Sequence, residues 1–424
     1  MTSADQALQL VLENVTPLGV ERVPILDALG RVIAEEIRSP RDIPGFDNSA
    51  MDGYAVRAAD VARASASNPA RLRVLGTVAA GAMPPTGVET GTAMRTMTGA
   101  PVAEGADAIV PVEQTRAQTR ADGDWVEILS AAEPHAFVRP RGEDLREGEL
   151  VMEPGRRLGA ADLGMLASLN RSMIEVCRAP RVAIMTTGDE LVDVDQRPAG
   201  AQVVNSSAYA LAGAVREVGG EPAILKVARD RPEEIRARLN EAFAFDAVLT
   251  TGGVSVGQFD HVKGALDELG LRQIFHGVAQ RPGRPLKFGL VGGRPIFGLP
   301  GNPVSTMVCF YLYARPALLK MGGRRELGLP RVAVRCAVDI RTAKDLTEFV
   351  RVRLRREGGE FYATPTGNQG SGILSSLSRA DALLIGSADA TVLKAGAQAT
   401  VLVLSAGAVD ATEPLFEPPL RHRN

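Results

Sequence analysis

RVAIMTTGDEL (181–191), DAVLTTGGVSVG (246–257) and GGRPIFGLPGNP (292–303) carry the reading of this chain. Each holds a short apolar run, the pattern of a buried strand, and ends in a turn rich in Gly with Thr, acid or amide side chains. Helical stretches lie between them. Ala208, Leu211, Ala212, Val215 and Val218 recur at helical spacing, and Gly219–Gly220 stops them. Pro232 opens a second helix through Phe243. Val262, Ala265, Leu266 and Leu269 mark a third, stopped by Gly270, and a fourth runs from the 298–303 turn through Leu319. PAILKVARD (222–230) reads as a further strand. Alternating strands and helices over 179–326 predict a parallel, doubly wound α/β domain. Ligands of such a sheet bind beyond the carboxyl ends of its strands, where the three turns fall.

Outward from this domain the periodicity changes. Ala4, Ala7, Leu8, Val11, Leu12 and Val15 share one helical face, and Ser3 with Gln6 has capping-box spacing. Residues 22–45 read as extended segments broken by Pro24, Pro40 and Pro44. Over 46–140, RLRVLGTV (71–78), TAMRTMTG (92–99), DAIVPVEQT (107–115) and DWVEILS (124–130) predict a β-rich lobe. Residues 141–178 include a helical GRRLGAADLGMLASLN (155–170) and lead to a linker at Ala179–Pro180. RVAVRCAVDI (331–340), EFVRVRLRR (348–356), EFYATPT (360–366), ALLIGSAD (382–389) and ATVLVLS (399–405) predict a β-barrel-like domain over 331–411. The tail 412–424 is Pro-rich and charged, and is expected to fray.

The chain has 424 residues, 45% hydrophobic and 23% charged, enough for several domains at roughly 100–200 residues each. A net charge of -2 gives no argument for a polyanion, so no nucleic-acid partner is expected. Cys177, Cys309 and Cys336 form neither a disulfide framework nor a zinc spacing, which fits a reducing compartment. His135, His261, His276 and His422 form no metal motif, so a metal here takes oxygen ligands, pointing to Mg2+. The N-terminus lacks signal-peptide features. The longest apolar runs, such as 307–314, are about half the ~20 residues of a membrane span. The expectation is a cytoplasmic protein with no membrane partner.

The turns TTGDEL (186–191), TGGVSVG (251–257) and GLPGNP (298–303) admit close approach of backbone N–H groups to an anion. Neither a GxGxxG nor a Walker pattern is present, so the ligand is not a standard dinucleotide or P-loop nucleotide. Each turn also has a plain structural account: a tight Gly-Gly connection, Asn302 as N-cap before Pro303 at N1, Asp260 and Asp230 as caps. Taken together, Asp189, Glu190, Asp230 and Asp260 lie at strand ends or helix starts on one edge. Carboxylates facing a phosphate repel it unless a divalent cation lies between, and Mg2+ bridging the two resolves this. Arg281, Arg284 and Lys287 in QRPGRPLKF (280–288) supply donors for a tetrahedral oxyanion, in a loop whose prolines restrict it; the plain alternative is a solvated loop. FDNSAMDGYA (46–55) has loop composition, and Asp52 alone reads as a turn residue.

FDNSAMDGYAV (46–56), MTGAPV (97–102), RGED (141–144), TTGDEL (186–191), TGGVSVG with Asp260, RPGRP (281–285), GLPGNPVS (298–305) and NQGS (368–371) occur in order across nearly the whole chain. Together they resemble the molybdopterin molybdenumtransferases, the family that includes the C-terminal enzyme domain of gephyrin. The resemblance implies a multidomain α/β plus β protomer. An extended discontinuous part (1–45 and 141–178) flanks the β-rich lobe (46–140), followed by the α/β molybdopterin-binding domain (179–326) and the C-terminal β-barrel-like domain. It implies a homodimer whose cleft lies between the α/β domain of one chain and the lobe of the other. The implied activity is Mg2+-dependent insertion of molybdate into adenylated molybdopterin with release of AMP. Molybdopterin adenylyltransferase and downstream molybdoenzyme maturation factors are the implied partners.

The same resemblance suggests roles. Asp260 sits at the position tied to cleavage of the pterin–AMP link, with Glu190, Asp230, Asp52, Thr98 and Asp144 as further cleft residues; Asp260, Glu190 and Asp230 are the candidate metal ligands. Thr187, Gly188, Asp189, Gly252, Gly253, Ser255, Gly257, Pro282, Pro300, Gly301, Asn302 and Ser305 would hold the pterin. Arg281, Arg284, Arg351 and Ser371 would hold molybdate. Gly277 stands where relatives often carry a lysine, and Arg281 and Arg284 replace others. A non-catalytic molybdopterin-binding or scaffold protein is the alternative from another class, separated by AMP release. Molybdopterin adenylyltransferase is the alternative within enzymes, separated by ATP consumption without molybdate. Tungstate and molybdate are too alike in size and charge for sequence to choose between them.

Overall fold

The computed structural model describes residues 1–252, 261–389 and 391–405. The chain divides into two compact units: Met1–Ala34 with Pro154–Ala167 and everything from Arg171 onward, and Glu35–Glu153 with Ser168–Asn170.

The first unit contains the α/β domain. Its elements in chain order are β1 (Arg181–Thr186), α1 (Ser206–Glu217), β2 (Glu221–Ile224), α2 (Pro232–Ala242), β3 (Ala247–Thr251), α3 (His261–Glu268), β4 (Arg272–His276), β5 (Lys287–Val291), β6 (Arg294–Leu299) and α4 (Pro303–Cys309). The sheet order is β2-β1-β3-β6-β5-β4. Strands β2, β1, β3 and β6 are parallel, whereas β5 runs antiparallel to both neighbours. The sheet is therefore mixed rather than wholly parallel. The cause is local: Gly292 and Gly293, both at positive φ, fold β5 back onto β6 as a hairpin, so no crossover helix joins them.

Alternation along β1 builds both faces. Val182 and Ile184 join α1 and the Met307–Met321 helical stretch in one core, with Phe288 and Phe297 at 4.9 Å between ring centroids. Ala183 and Met185 face α2 and α3 in the other. Each of those buried Phe side chains contributes about 1.5–3 kcal/mol of burial. The N-terminal helix Ala4–Glu13 packs Ala7 and Val11 into the first core, and its Ser3 hydroxyl accepts from the Gln6 N–H. Val20–Pro24 pairs antiparallel with Met173–Cys177. The helical continuation after α4 departs from ideal geometry: Phe310–Ala314 is a π-turn before Arg315–Met321 resumes as α-helix.

Toward the C-terminus, the strands Thr347–Glu357, Glu360–Pro365, Arg331–Cys336, Gln398–Val403 and Ala382–Gly386 close on one another as a five-stranded barrel around Val334, Val350, Val352, Leu384 and Val401. Gln280–Arg281 from the α/β domain adds to it as a short parallel strand, Gln280 opposite Thr347 and Arg281 opposite Glu348. The 412–424 tail lies outside the described residues.

In the second unit, a six-stranded sheet is ordered Ala108–Pro111, Gly53–Val56, Thr92–Thr96, Ala70–Val78, Gly123–Ile128, Thr115–Arg120. Its strands hold the four segments read as strands from sequence. Two apolar clusters, one around Tyr54, Leu72 and Val126 and one around Val78, Met94 and Ile109, cover its two faces. No helix among the described residues is long and apolar enough to cross a membrane.

Candidate active site

The strand order reverses at β1, which has β2 on one side and β3 on the other, so the crevice of this sheet opens where β1 and β3 end. Thr186 and Thr187 leave β1 there, and Thr251 and Gly252 leave β3. The Thr187 N–H donates to Thr251 O at 3.0 Å, holding the two ends together. Gly252 lies at φ 86; a Cβ there would sit 2.4 Å from Thr187 O and 2.8 Å from Thr187 Oγ1. Only glycine permits that approach. Thr187 is 4% exposed, and its hydroxyl has no hydrogen-bond partner among the described residues. A buried hydroxyl without a partner is costly, and at a strand-end crevice it suits a ligand. Thr186 is satisfied: the Asn205 amide donates to its hydroxyl at 2.9 Å while Asn205 Oδ1 caps α1 at the Ala208 N–H.

Asp189 and Asp230 meet at this edge, where the Asp230 N–H donates to Asp189 Oδ1 at 3.4 Å. Arg229 braces the same turn by donating to Asp189 O at 2.9 Å and Leu191 O at 3.3 Å. The Glu190 carboxylate folds back over Gly188, 2.5 Å from where a Cβ would stand. Gly188 itself donates to Ala228 O at 3.2 Å. Among the described residues no three His, Cys, Asp or Glu side chains form a metal-holding group. Asp260, Gly253, Ser255 and Gly257 lie outside the described residues.

The third turn meets the second: a Cβ on Gly301 would lie 3.8 Å from Gly252 Cα. Pro300 is buried, and the Thr306 hydroxyl donates to Pro300 O and to Asn302 O at 3.1 Å. Asn302 occupies the N-cap of α4 with Pro303 at N1, but its side chain makes no capping hydrogen bond. Asn302 thus holds the expected N-cap position before Pro303, but it adds no side-chain bond, and Thr306 braces the turn through backbone carbonyls. Ser305 is 5% exposed on α4, and the Val304 N–H donates to Ser371 O at 3.1 Å, seating the 368–371 loop on the helix start.

That loop wraps Arg351, which is 1% exposed. The Arg351 guanidinium donates to Ser376 Oγ at 3.2 Å and Gly370 O at 3.1 Å, and Gln369 clasps the Arg351 backbone from both sides at 2.9 and 3.2 Å. Burial lowers the Arg351 pKa; Glu348 opposes that shift and Arg281 adds to it. Arg281 lies 3.7 Å from Glu348, which is buried and also accepts from the Ala343 N–H at 2.5 Å. Arg281 is exposed and is the arginine paired with Glu348, whose charge also acts on Arg351. Pro282 is buried and follows a cis Arg281–Pro282 bond. Arg284 is exposed, its Nε directed at Met1 Sδ at 3.3 Å. Gly277 takes φ 85 in a turn closed by its N–H on Leu286 O, a backbone reason for glycine at that position.

In the second unit Asp52 and Thr98 come together. Both the N–H and the hydroxyl of Thr98 donate to Asp52 Oδ1, at 2.7 and 2.8 Å. The Thr98 N–H is the largest cause holding the Asp52 carboxyl below its usual range. Asp144 is exposed, with its N–H donating to Ile43 O at 2.9 Å. Sequence reasoning missed Gln280, Glu348 and Ser376, and quoted Gln369 without giving it a role. Their signal is pairing between distant segments, which no local pattern records.

Residues 2–170 match the MoeA N-terminal region (domain I and II), 183–320 a probable molybdopterin binding domain, and 333–404 the MoeA C-terminal region (domain IV). A molybdopterin molybdenumtransferase from Nostoc sp. is 35% identical over 91% of this chain and 88% of its own. The chain belongs to the MoeA family of molybdopterin molybdenumtransferases. Its other relatives include molybdopterin molybdenumtransferase 2 of Mycobacterium tuberculosis, 35% identical over 95% of this chain and 99% of that one. The solved molybdopterin biosynthesis moeA protein from Pyrococcus horikoshii superimposes with a TM-score of 0.80 at 30% identity, covering 95% of this chain and 100% of that chain. Family membership makes the chain a transferase of molybdenum cofactor biosynthesis and accounts for the mixed α/β and barrel architecture.

Proposed function

We propose that this protein inserts molybdate into adenylated molybdopterin and releases AMP. The observation that carries the reading is Arg351, buried on the same barrel strand as Glu348, the partner of Arg281. The almost fully buried Arg351 guanidinium donates to neutral oxygens of Ser376 and Gly370, while Glu348 pairs with the exposed Arg281. An excess cation held away from water favours a dianion, and guanidinium forks suit tetrahedral oxyanions. Ser371 and Arg284 are the proposed further donors to molybdate.

The pterin reading rests on the β1–β3 crevice. Thr187 brings a buried hydroxyl, Gly252 and Gly301 bring backbone close to the ligand, and Asp189, Asn302 and Ser305 line the adjoining turns. The donor chemistry at this edge fits Mg2+ in type, because Glu190 and Asp230 offer carboxylate oxygens, the ligands a hard cation takes. Glu190, Asp230 and Asp260 are the proposed ligands. The ion would supply charge neutralisation at the phosphates of the pterin–AMP link. Thr187 would orient the ligand by donating its hydroxyl proton, and Arg281 and Arg351 would hold the oxyanion until the dithiolene sulfurs take the metal.

Two readings complete the proposal. A homodimer would bring Asp52, Thr98 and Asp144 of one chain to the crevice of another, giving those exposed polar residues a use. The compartment would be the cytoplasm. AMP release from adenylated molybdopterin by purified protein with Mg2+, with and without molybdate, tests the function. Release that depends on molybdate and yields cofactor able to activate a molybdoenzyme is expected. Tight pterin binding without release under either condition would replace this reading with that of a binding protein.

A further inference from the structure

A buried polar relay lies behind the 280–285 turn, and the chemistry above does not use it. Tyr313, 1% exposed, stands on the π-turn of the 303–321 helical stretch. Its hydroxyl donates to Gln280 Oε1, and Gln280, wholly buried, donates from Nε2 to Pro282 O at 2.9 Å. One turn earlier, Cys309 places its Sγ 3.5 Å from Gly283 O and 3.7 Å from Gln280 Nε2. Gly283 lies at φ 98 with no room for a side chain: a Cβ would stand 2.4 Å from Cys309 Sγ and 2.7 Å from Gln280 Nε2. On its other side the turn is hydrogen-bonded as a strand, Gln280 opposite Thr347 and Arg281 opposite Glu348. The turn that carries Arg281 is thus clasped from the helix by Tyr313, Gln280 and Cys309, and from the barrel by the Thr347–Glu348 backbone.

The π-turn bears on this. π-helix is rare, and single π-turns inside α-helices are frequent at functional sites. Here the side chain carried by that turn is the one that reaches the turn holding Arg281. A Tyr hydroxyl and a Gln amide both lose water on burial, so each depends on the other for a partner. We infer that the Tyr313–Gln280 pair is a positioning device for Arg281, holding the Arg281–Pro282–Gly283 backbone so that the guanidinium faces the oxyanion beside Arg351. This rests on the reading of Arg281 as a molybdate ligand. The two arginines come from different domains, so their separation depends on a turn held from both sides, and a dianion shared between two forks needs both at fixed distance.

The test is the molybdate dependence of AMP release in Tyr313→Phe, Gln280→Met, Arg281→Ala and the Tyr313→Phe/Arg281→Ala double variant, with melting temperature recorded for each. Tyr313→Phe should raise the half-saturating molybdate concentration between about twofold and tenfold, the range of one hydrogen bond's net worth, with the rate at saturating molybdate unchanged. Gln280→Met, close in volume, should do the same and serves if Tyr313→Phe does not fold. Adding Tyr313→Phe to Arg281→Ala should produce no further change, because the relay acts through that arginine. If Arg281→Ala alters molybdate dependence while Tyr313→Phe and Gln280→Met only lower the melting temperature, the relay is part of the core and the inference fails with the functional reading intact. If Arg281→Ala itself leaves molybdate dependence unchanged, the reading of Arg281 fails and takes the inference with it.

Discussion

Replacing Gly252 with alanine should damage both the α/β domain and its ligand crevice, and the geometry sets the size of the effect. Gly252 sits at φ 86, where a side chain costs about 1–2 kcal/mol through the clash of Cβ with the backbone. The added carbon would also stand 2.4 Å from the Thr187 carbonyl oxygen, inside the 3.0 Å that real Cβ atoms respect. That oxygen belongs to the backbone, so no rotamer change relieves the contact; β1 and β3 must part, at the about 1–3 kcal/mol typical of overpacking. The sum is about 2–5 kcal/mol, a loss of about 4 °C or more in melting temperature for a domain of this size. The same substitution at Gly213 is the internal control. Gly213 is exposed within α1 with nothing inside 4 Å of its Cβ position, so Gly213→Ala should stabilise by about 0.5–1 kcal/mol. Calorimetry of both variants gives the stabilities, and titration with adenylated molybdopterin gives the crevice. Gly252→Ala should melt early and bind the pterin weakly, and Gly213→Ala should melt late and bind normally. Parent-like melting and binding in Gly252→Ala would refute the claim that the β1–β3 junction is closed to a side chain and shaped for the ligand.

Two other outcomes follow from individual contacts. Asp52 has a native pKa below its ordinary 3.8 because Thr98 donates twice to the carboxylate, so the stability it contributes is present above that value and is lost as pH falls through the native pKa; Thr98→Val keeps the N–H and removes the hydroxyl, so NMR titration should show Asp52 titrating at modestly higher pH, and an unchanged midpoint would dismiss the hydroxyl contact. Asn205→Ala removes both the Thr186 contact and the α1 cap, and should lower stability by about 1–2 kcal/mol, measured as faster amide hydrogen exchange in the first turn of α1; unchanged exchange there would show the cap to be idle.

The α/β domain was legible because its strands are short apolar runs ended by glycine-rich turns, and its helices keep a single apolar face. Val182, Ile184 and Val215 carry that signal at every step. What local pattern could not give is the direction of β5. Lys287–Val291 is not among the segments whose pattern predicts a strand, and the Gly292–Gly293 hairpin turns it antiparallel. The acidic edge was half legible. Asp189 and Asp230 were placed on one side by counting strand ends, and they meet there. Asn302 takes the N-cap position that its residue type and the following proline imply, but the local pattern does not show that its side chain makes no capping bond. The support of the oxyanion turn was not legible at all. Gln280 and Thr347 are 67 positions apart and pair through backbone, and Tyr313 reaches Gln280 from a π-turn that no local pattern marks.

Glu348 offers the sharpest test of the charge argument. Its carboxylate is buried, 3.7 Å from Arg281, and is the group that keeps the Arg351 pKa from falling further. Glu348→Gln keeps the shape and an oxygen for the Ala343 N–H but removes the countercharge of Arg281 and the negative charge that acts on Arg351. Without oxyanion the variant should be less stable by about 1–3 kcal/mol, the cost of a buried charged hydrogen-bonding group losing its partner. A bound dianion would then relieve more repulsion than in the parent, and by linkage the melting temperature should rise further with added molybdate in the variant than in the parent. Sulfate at the same ionic strength controls for screening. An equal or smaller molybdate-induced rise in Glu348→Gln would mean that the oxyanion does not bind where Arg281 and Arg351 converge, and the excess charge there would need another explanation.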